Sequence, residues 1–333
     1  MDLSFSLIIP VYNRPEEIRE LLESLLDQNY KKPYEVVIVE DGSQTRAEKV
    51  ADSFKDKLNI SYYFKENSGP GDSRNFGMRK AEGNYFIILD SDCLLPPSYL
   101  ESVSKALQDH YVECFGGPDT AHPSFTATQK AINYAMTAFI TTGGIRGNTK
   151  AANKFQPRSF NMGISKKAFE KTGGFGKIHP GEDPDLSIRL WGLGYSTQLI
   201  PEAFVYHKRR VDFNKFYIQV KKFGMVRPIL NSWHPQTARL TYWFPFFFCV
   251  GLIVAMVLAL AHINGFLYLY LLYFIIVLID SWLKNKALGI ALLSLVAVVI
   301  QFGGYGLGFF KSTFLLTFSK KKPQELFPSL FFK

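Results

Sequence analysis

The sequence predicts an α/β domain built on a mostly parallel sheet, followed by a membrane region of apolar helices. Strand and helix signals alternate along the first 90 residues, which is the pattern of a parallel sheet covered by helices on both faces. From about residue 241 the chain is apolar, and its few charges lie at the borders of apolar segments. A length of 333 residues allows about two domains of roughly 150 residues. These observations exclude a disordered chain, a fibrous chain and a purely soluble enzyme.

Short apolar runs in this first region predict strands that are buried on both faces. They are Phe5–Pro10, Glu35–Glu40, Ile60–Lys65 and Tyr85–Leu89. The intervening segments predict helices at Glu16–Gln28, Thr45–Phe54 and, after a Gly-Pro-Gly turn, Ser73–Ala81. Ligands of such sheets bind beyond the carboxyl ends of the strands. Polar residues at those ends are therefore candidates for a binding site.

The middle of the chain is less regular. Residues 115–165 are rich in Gly, Thr and Asn, and we expect loops there. Gly181–Leu193 predicts a helix, and strands are expected at Thr197–Ile200 and Ala203–Tyr206. Residues 211–240 are basic and amphipathic. They fit a helix at a membrane interface, or a solvated helix packed on the domain, and the sequence leaves both open.

Three apolar segments, at about residues 242–261, 264–283 and 287–310, each approach the roughly 20 residues that cross a bilayer. With the first domain inside the cell, two crossings place Lys284 and Lys286 inside, as the positive-inside rule favours. A third crossing places Lys311 and the three lysines at 320–322 outside. Either the rule fails there, or the glycine-rich third segment is re-entrant or interfacial. We expect three spans.

The charge balance and the cysteines constrain partners and compartment. The formal net charge is +9. Lys and Arg beside apolar spans are explained by the cytoplasmic face of a membrane, so we expect no nucleic-acid partner. Cys93, Cys114 and Cys249 are too few and too scattered for a disulfide framework or a zinc site, so we expect reduced thiols. The start of the sequence does not predict a signal peptide, because it lacks a basic n-region.

Asp90-Ser91-Asp92 directly follows the fourth predicted strand and is the strongest chemical signal. Two carboxylates at i and i+2 on a turn can bind Mg²⁺ or Mn²⁺, and a diphosphate group needs such a cation. Asp-Ser-Asp is also a common turn composition, so alone it does not distinguish a metal site from a plain turn. Polar residues also end the first two strands, at Pro10–Asn13 and Glu40–Asp41.

Five motifs occur along the chain in a characteristic order. They are FSLIIPVYNR (Phe5–Arg14), VVIVEDGS (Val36–Ser43), NSGPGDSRNFG (Asn67–Gly77), Asp-Ser-Asp, and GEDPDLSIRL (Gly181–Leu190). Over about residues 4–225 the set closely resembles family 2 glycosyltransferases of the GT-A fold. The resemblance implies a Rossmann-like catalytic domain at 1–210. The composition predicts a basic amphipathic segment at 211–240 and a membrane domain at 241–333, which fits a common variant of the family but is not diagnostic of it. We therefore expect a multi-pass protein of a bacterial inner membrane with its catalytic domain in the cytoplasm.

The same resemblance assigns the donor site. It implies contacts to the nucleotide-sugar from Pro10, Tyr12, Asn13, Asp41, Arg74, Asp90 and Ser91. Asp41 would accept a hydrogen bond from the base. A carboxylate there suits uracil and chemically also guanine, and we expect a UDP-sugar. Arg74 matches an arginine near the nucleotide, and its alternative role is a structural or surface salt bridge.

The family's metal and catalytic positions also have counterparts. Asp92, Asp90 and His207 are the implied ligands of Mn²⁺ or Mg²⁺, although a lone histidine is as often structural. Glu182-Asp183 matches the family's ED motif, in which Asp183 would be the general base and Glu182 would contact the acceptor or orient the base. The pair also suits the start of a helix, where acidic residues are favoured. Asp185 is the rival carboxylate.

The remaining segments bear on the acceptor. Thr141–Gly144 and Arg158–Gly163 are candidates for the acceptor side, His179 could face the acceptor, and the basic run at 208–210 could contact phosphate or lipid. Gln219–Phe223 resembles the QxxRW motif of processive synthases. It departs from that motif at Lys222 and Phe223, and lysine cannot make the bidentate contacts of arginine. We therefore expect addition of single sugars.

The sequence thus predicts an inverting, membrane-anchored glycosyltransferase. We expect a nucleotide-diphosphate donor and a hydroxyl acceptor on a lipid-linked or growing glycan. The alternatives are a processive polysaccharide synthase, a polyprenyl-phosphate glycosyl synthase, and a non-catalytic scaffold that binds sugar nucleotides. A nucleotidyltransferase is disfavoured because the first strand is not followed by a glycine-rich phosphate loop.

Overall fold

The computed structural model describes residues 2–120, 125–143, 155–207 and 212–332. The chain packs as two units. The first comprises residues 1–122, 148–208 and 331–333, and the second comprises residues 123–147 and 209–330. The predicted boundaries at residues 210 and 240 divide the chain in sequence order. In the structure, residues 123–147 pack with the second unit and residues 331–333 pack with the first. Each unit is described by itself.

The secondary structure follows the chain in this order. The strands are β1 (Phe5–Val11), β2 (Glu35–Asp41), β3 (Ile60–Lys65), β4 (Tyr85–Leu89), β5 (Cys93–Leu94), β6 (Cys114–Gly116), β7 (Asp119–Thr120), β8 (Asn161–Ser165), β9 (Thr197–Leu199) and β10 (Val205–His207). The helices are α1 (Pro15–Leu26), α2 (Glu48–Asp52), α3 (Pro70–Lys80), α4 (Tyr99–Asp109), α5 (Ala127–Thr137), α6 (Phe139–Thr142), α7 (Lys166–Thr172), α8 (Glu182–Gly192), α9 (Phe213–Trp233), α10 (Phe244–Leu260), α11 (Gly265–Asn285), α12 (Leu288–Phe318) and α13 (Pro323–Leu326).

The first unit is built on a sheet with the strand order β3-β2-β1-β4-β8-β6-β9 in the described part of the chain. β1 pairs in parallel with β2 and β4, β2 pairs in parallel with β3, and β8 runs antiparallel to β4 and β6. The predicted mostly parallel sheet is confirmed. A second, small sheet has the order β5-β10-β7. Its strand β5 begins four residues after the end of β4 in the chain.

The buried strands explain why their sequences are continuous apolar runs. Alternate residues of β1 point to opposite faces, so Leu7 and Ile9 join one buried cluster and Ile8 joins another. The first cluster includes residues of α1 and α4, and the second includes Met78 of α3 and Leu186 of α8. The sheet is therefore covered by helices on both faces, as a parallel sheet requires.

Two local predictions were wrong. The Gly-Pro-Gly segment is not a turn before α3 but its start, because Pro70 occupies the first helical turn, where its missing N–H costs no hydrogen bond. Residues 115–165 are not all loops, since they contain α5, α6 and β8. α5 begins with a capping box, in which Thr126 accepts a hydrogen bond from Gln129 N and the Gln129 side chain bonds back to Thr126 N.

In the second unit, the helical segment Leu240–Leu260, which includes α10, and the helices α11 and α12 are long and apolar enough to cross a membrane, which supports association with a membrane. α12 is one continuous helix of 31 residues that runs through the glycine-rich stretch. The glycines allow α9 to pack closely along α12. A Cβ on Gly308 would lie 2.2 Å from the Lys221 carbonyl oxygen, and one on Gly304 would lie 2.6 Å from Val220. The amphipathic segment thus forms a helix that packs on α12 within this unit.

Candidate active site

Polar side chains gather at the carboxyl edge of the parallel strands. The pairing of Val11 with Glu40 places the ends of β1 and β2 side by side, and β4 pairs with β1 along the other edge. Segment 12–13, Asp41 and segment 90–92 therefore share one end of the sheet, where ligands of such sheets bind. Pro10 lies inside β1 opposite Val39, and the Tyr12 side chain is exposed.

Asn13 joins the ends of the first two strands. Its backbone is in the left-handed region, with φ of 54°. Its Oδ1 accepts hydrogen bonds from Gln44 N at 2.8 Å and Thr45 N at 3.0 Å, and its own N–H donates to Ser43 Oγ at 2.7 Å. The side chain is thus engaged in shaping the strand-end loop, a function that its motif position did not reveal.

Asp41 is buried and organises the turn before α3. Its Oδ1 accepts hydrogen bonds from Lys65 Nζ at 2.6 Å and Ser68 N at 3.0 Å, and its Oδ2 accepts one from Gly69 N at 3.0 Å. Each carboxylate oxygen can accept two hydrogen bonds, so Oδ2 retains capacity for one from a ligand. Lys65, at the end of β3, is a charge partner that the sequence motifs did not indicate.

Arg74 connects two of the predicted motifs. Its side chain is 3% exposed. Nη2 donates to Asp90 Oδ1 at 2.7 Å, and Nη1 donates to Glu182 Oε1 at 3.0 Å. Arg74 is therefore not at the surface, and its contacts are those of the structural salt bridge that is the alternative to a nucleotide contact. The buried guanidinium of Arg74 thus binds two carboxylates: Asp90, the first of Asp-Ser-Asp, and Glu182, the first of the ED pair (Glu182-Asp183).

Asp92 and His207 are brought together by strand pairing. β10 runs antiparallel to β5 with His207 opposite Cys93, and His207 Nε2 lies 3.1 Å from Asp92 Oδ1. Arg14 Nη1 lies 2.6 Å from Asp92 Oδ2. Burial alone would raise the pKa of Asp92, but the charges and hydrogen bonds of His207 and Arg14 outweigh it and hold that pKa below its ordinary value.

The imidazole of His207 is held on two further sides. The ring stacks on Phe160, with 4.7 Å between ring centroids. Nδ1 lies 4.0 Å from Asp119 Oδ2, on the neighbouring strand β7. That distance is too long for a hydrogen bond, so the carboxylate contributes its charge beside the ring. Neither Phe160 nor Asp119 was predicted from the sequence.

The donor set around Asp92 fits a divalent cation. Ligand-type atoms of Asp92, Cys93 and His207 all lie within 4.8 Å of one another. Burial raises the pKa of the Cys93 thiol well above its ordinary value, so the sulfur stays protonated and is a poor ligand. The carboxylate and the imidazole remain as ligands suited to a cation such as Mn²⁺. Asp90 is paired with Arg74 instead and lies outside this cluster.

The ED pair begins α8. His179 Nδ1 lies 3.0 Å from Glu182 Oε1, the same oxygen that Arg74 contacts. Burial alone would raise the pKa of Glu182, but His179 first and Arg74 next lower it to about 2. Glu182 is therefore ionised and paired with two basic side chains of the protein.

Asp183 has a different environment. Its Oδ2 lies 3.8 Å from Arg158 Nη1. Burial raises the pKa of Asp183 above its ordinary value, and the opposing charge of Arg158 offsets only part of that effect. Asp185, the rival carboxylate, lies 2.9 Å from the Arg189 guanidinium and is thereby engaged within α8. Of the two carboxylates, Asp183 has the longer contact with its basic partner.

The other acceptor-side predictions have mixed outcomes. Arg158 lies beside Asp183, whereas Thr141–Gly143 belongs to the second unit. Gly144 and the basic run 208–210 lie outside the described residues.

Comparison with known proteins agrees with the fold. Residues 6–173 match the family model described as Glycosyl transferase family 2. The poly(ribitol-phosphate) beta-N-acetylglucosaminyltransferase TarS of Staphylococcus aureus is 33% identical over 112 residues, which are 33% of this chain and 20% of TarS. The minor teichoic acid biosynthesis protein GgaA of Bacillus subtilis is 28% identical over 232 residues, which are 67% of this chain and 45% of GgaA. The chain thus spans less than half the length of these relatives.

A solved structure extends the comparison. The mannosyltransferase PcManGT from Pyrobaculum calidifontis superposes with a TM-score of 0.61 and 18% identity, over 90% of this chain and 87% of that one. A likeness at that identity shows the fold. The sheet order, the strand-end carboxylates and the ED pair at the start of α8 define a GT-A glycosyltransferase domain. The family match covers half of the chain, and the chain belongs to glycosyltransferase family 2.

Proposed function

We propose that this protein is an inverting glycosyltransferase that moves a sugar from a nucleotide-diphosphate donor, a UDP-sugar, to a hydroxyl acceptor. One observation supports this most directly. Arg74 binds both Asp90, at the end of β4, and Glu182, at the start of α8. This pairing supports a single site that contains both the donor-side and the acceptor-side motifs. A binding scaffold would need no such link between them.

Asp92 and His207 would hold the divalent cation, Mn²⁺ or Mg²⁺. When bound, such a cation supplies positive charge to the diphosphate leaving group, and stabilisation of developing charge is usually the largest catalytic effect. The Pyrobaculum mannosyltransferase was solved with GDP-Man and Mn²⁺, which supports this donor and cofactor class. Arg14, beside Asp92, offers a second positive charge in the same region.

Asp183 would act on the acceptor. Its carboxylate takes the proton of the acceptor hydroxyl, and the hydroxyl oxygen forms a bond to the anomeric carbon from the face opposite the leaving group. The bond between that carbon and the diphosphate oxygen breaks, and the nucleoside diphosphate leaves with the electron pair. Attack from the opposite face inverts the anomeric configuration. Glu182, ionised and held by Arg74 and His179, keeps the start of α8 in place.

The acceptor would be a lipid-linked or growing glycan at the cytoplasmic face of the inner membrane. The names of the relatives TarS and GgaA, a poly(ribitol-phosphate) transferase and a teichoic acid biosynthesis protein, support a polymer of the cell envelope. The apolar helices of the second unit would keep the enzyme where such acceptors are found. The departures from QxxRW at Lys222 and Phe223 support addition of single sugars.

Calorimetry on the detergent-purified chain tests the donor assignment. UDP, GDP, CDP and ADP are titrated with Mn²⁺, with Mg²⁺ and with EDTA. We expect binding of UDP that requires a divalent cation and is lost in Asp92→Asn. Asp56→Asn removes an exposed carboxylate in the same unit and should bind as the wild type does. Absence of binding of every diphosphate by folded protein would favour the scaffold alternative.

The pH dependence of the reaction tests the environment of the base. Arg158→Gln removes the positive charge that lies 3.8 Å from Asp183. The anionic form of Asp183 then loses stabilisation, so its pKa rises further. We expect the acid limb of the kcat/KM profile for hydrolysis of UDP-N-acetylglucosamine, with water in place of the acceptor, to move to higher pH. Lys167→Gln removes an exposed charge and should leave the profile unchanged. An unmoved profile in Arg158→Gln would exclude Asp183 as the group that titrates.

A further inference from the structure

Two residues that follow the membrane helices in sequence belong to the first unit. Phe331 pairs with Ile178 in an antiparallel bridge, and Phe332 N donates a hydrogen bond to the Lys177 carbonyl at 3.1 Å. We call Phe331–Phe332 the returning segment. It lies against the loop Lys177–Gly181, which leads directly into the ED pair.

The Phe332 ring packs against Gly69, the residue that precedes α3. A Cβ placed on Gly69 would lie 2.3 Å from Phe332 Cδ2, so the ring is in close contact with the glycine backbone. The same glycine donates its N–H to Asp41 Oδ2 at 3.0 Å. Phe332 therefore packs on the turn that is bound to the predicted nucleobase carboxylate.

The ring also contacts the loop before α8. The ring centroids of Phe332 and His179 are 5.9 Å apart. His179 in turn lies 3.0 Å from Glu182 Oε1. Phe332 of the returning segment thus contacts His179, and His179 contacts Glu182 of the ED pair. The hydrogen bond from Phe332 N to the Lys177 carbonyl is a second link to the same loop.

A cavity of about 270 Å³ lies where these parts meet. It is lined by the start of α3, including Gly71 and Asn75, by residues 175–179, and by Phe332. The cavity gives the loop Lys177–Gly181 room to shift when the aromatic ring that contacts it is removed. Displacement of a reacting group by about 1 Å can cost roughly 100-fold in rate.

We infer that Phe332 is a positioning residue for sugar transfer, a role that rests on the proposed function. It holds the loop Lys177–Gly181 against the turn at Gly69, and so fixes His179 and the ED pair relative to the donor site. Phe332 does not touch the reacting atoms. Its loss should therefore lower kcat far more than the affinity for the nucleotide, because Asp92 keeps its contacts and Asp41 keeps the hydrogen bonds from Lys65 and Ser68.

The test compares Phe332→Ala with Phe332→Tyr, which keeps the ring, in the full chain purified in detergent. Hydrolysis of UDP-N-acetylglucosamine gives kcat and KM, and calorimetry gives the Kd of UDP. We expect Phe332→Ala to lower kcat by about 10- to 100-fold with the UDP Kd within about twofold, and Phe332→Tyr to retain most of the activity. A wild-type kcat in Phe332→Ala, or an equal loss of kcat and of UDP affinity, would overturn the inference.

Hydrogen–deuterium exchange separates this inference from the proposed function. Phe332→Ala should increase exchange at the backbone amides of residues 177–182, and Phe332→Tyr should not. Equal exchange in Phe332→Ala and in the wild type would show the positioning role to be wrong, whatever the protein transfers. If the wild type hydrolyses no sugar nucleotide and yet exchange changes as expected, the proposed function fails and the contact of Phe332 with the loop stands.

Discussion

Replacing Asp183 by asparagine is expected to lower sugar transfer by a factor of about 10² to 10⁴, the usual contribution of a general base. The amide keeps the size of the side chain but cannot take the proton of the acceptor hydroxyl. Binding of UDP should not change, because Asp92 and His207 are unaltered. The measurements are the rate of hydrolysis of UDP-N-acetylglucosamine and the calorimetric Kd of UDP.

Asp185→Asn is the matched control for this variant. Asp185 lies two residues further along α8 and pairs with Arg189 at 2.9 Å, so its loss affects the helix but removes no base. We expect a lower melting temperature and transfer within a few-fold of the wild type. Full activity in Asp183→Asn would favour the polyprenyl-phosphate glycosyl synthase, whose phosphate acceptor needs no strong base.

Arg74→Gln is expected to destabilise the first unit by about 3–5 kcal/mol, the range measured when one partner of a buried ion pair is removed. The change leaves Asp90 and Glu182 without their shared cation, and Arg74 is 3% exposed. Transfer should also fall by more than tenfold, because the donor side and the ED pair lose their common anchor. Chemical denaturation measures the free energy of unfolding.

Two further variants separate charge from geometry. Arg79→Gln, on the exposed face of the same helix, removes a guanidinium that is 54% exposed and should cost little, as surface pairs do. Arg74→Lys retains the charge but cannot reach two carboxylates with a planar fork, so stability should recover in part while activity does not. Wild-type stability in Arg74→Gln would mean that this buried network contributes nothing to folding.

The sheet and its strand-end residues could be predicted because their signals are local. β3 and β4 have the predicted bounds, and β1 and β2 extend one residue further. Continuous apolar runs identify strands that are covered on both faces, and polar residues directly after them identify the binding edge. The order of the five motifs along the chain indicated glycosyltransferase family 2.

The charge pairings could not be predicted in this way. Arg14 lies 78 residues from Asp92 along the chain, and Arg74 lies 108 residues from Glu182. Such pairs depend on the order of strands in the sheet and on loops whose paths have no sequence signature. Strand order also brings Asp119 to His207, through the pairing of β7 with β10. The contacts of Arg14 and Arg74 lower the pKa values of Asp92 and Glu182.

α5 was not predicted, although the sequence contains the signal for its start, Thr126 with Gln129 three residues later. The Gly, Thr and Asn content of residues 115–165 favours loops and led to the wrong prediction. The apolar residues of α5, such as Ile132 and Ala135, are buried within the second unit, so tertiary packing completes a helix whose composition is weak.

The chain returns to the first unit at residue 331, after the apolar helices of the second unit. The first unit is therefore built from segments that are not contiguous in sequence, and two of its residues, Phe331 and Phe332, follow the apolar helices. A chain truncated before residue 331 would lack the contacts that Phe332 makes with Gly69 and His179 in the first unit.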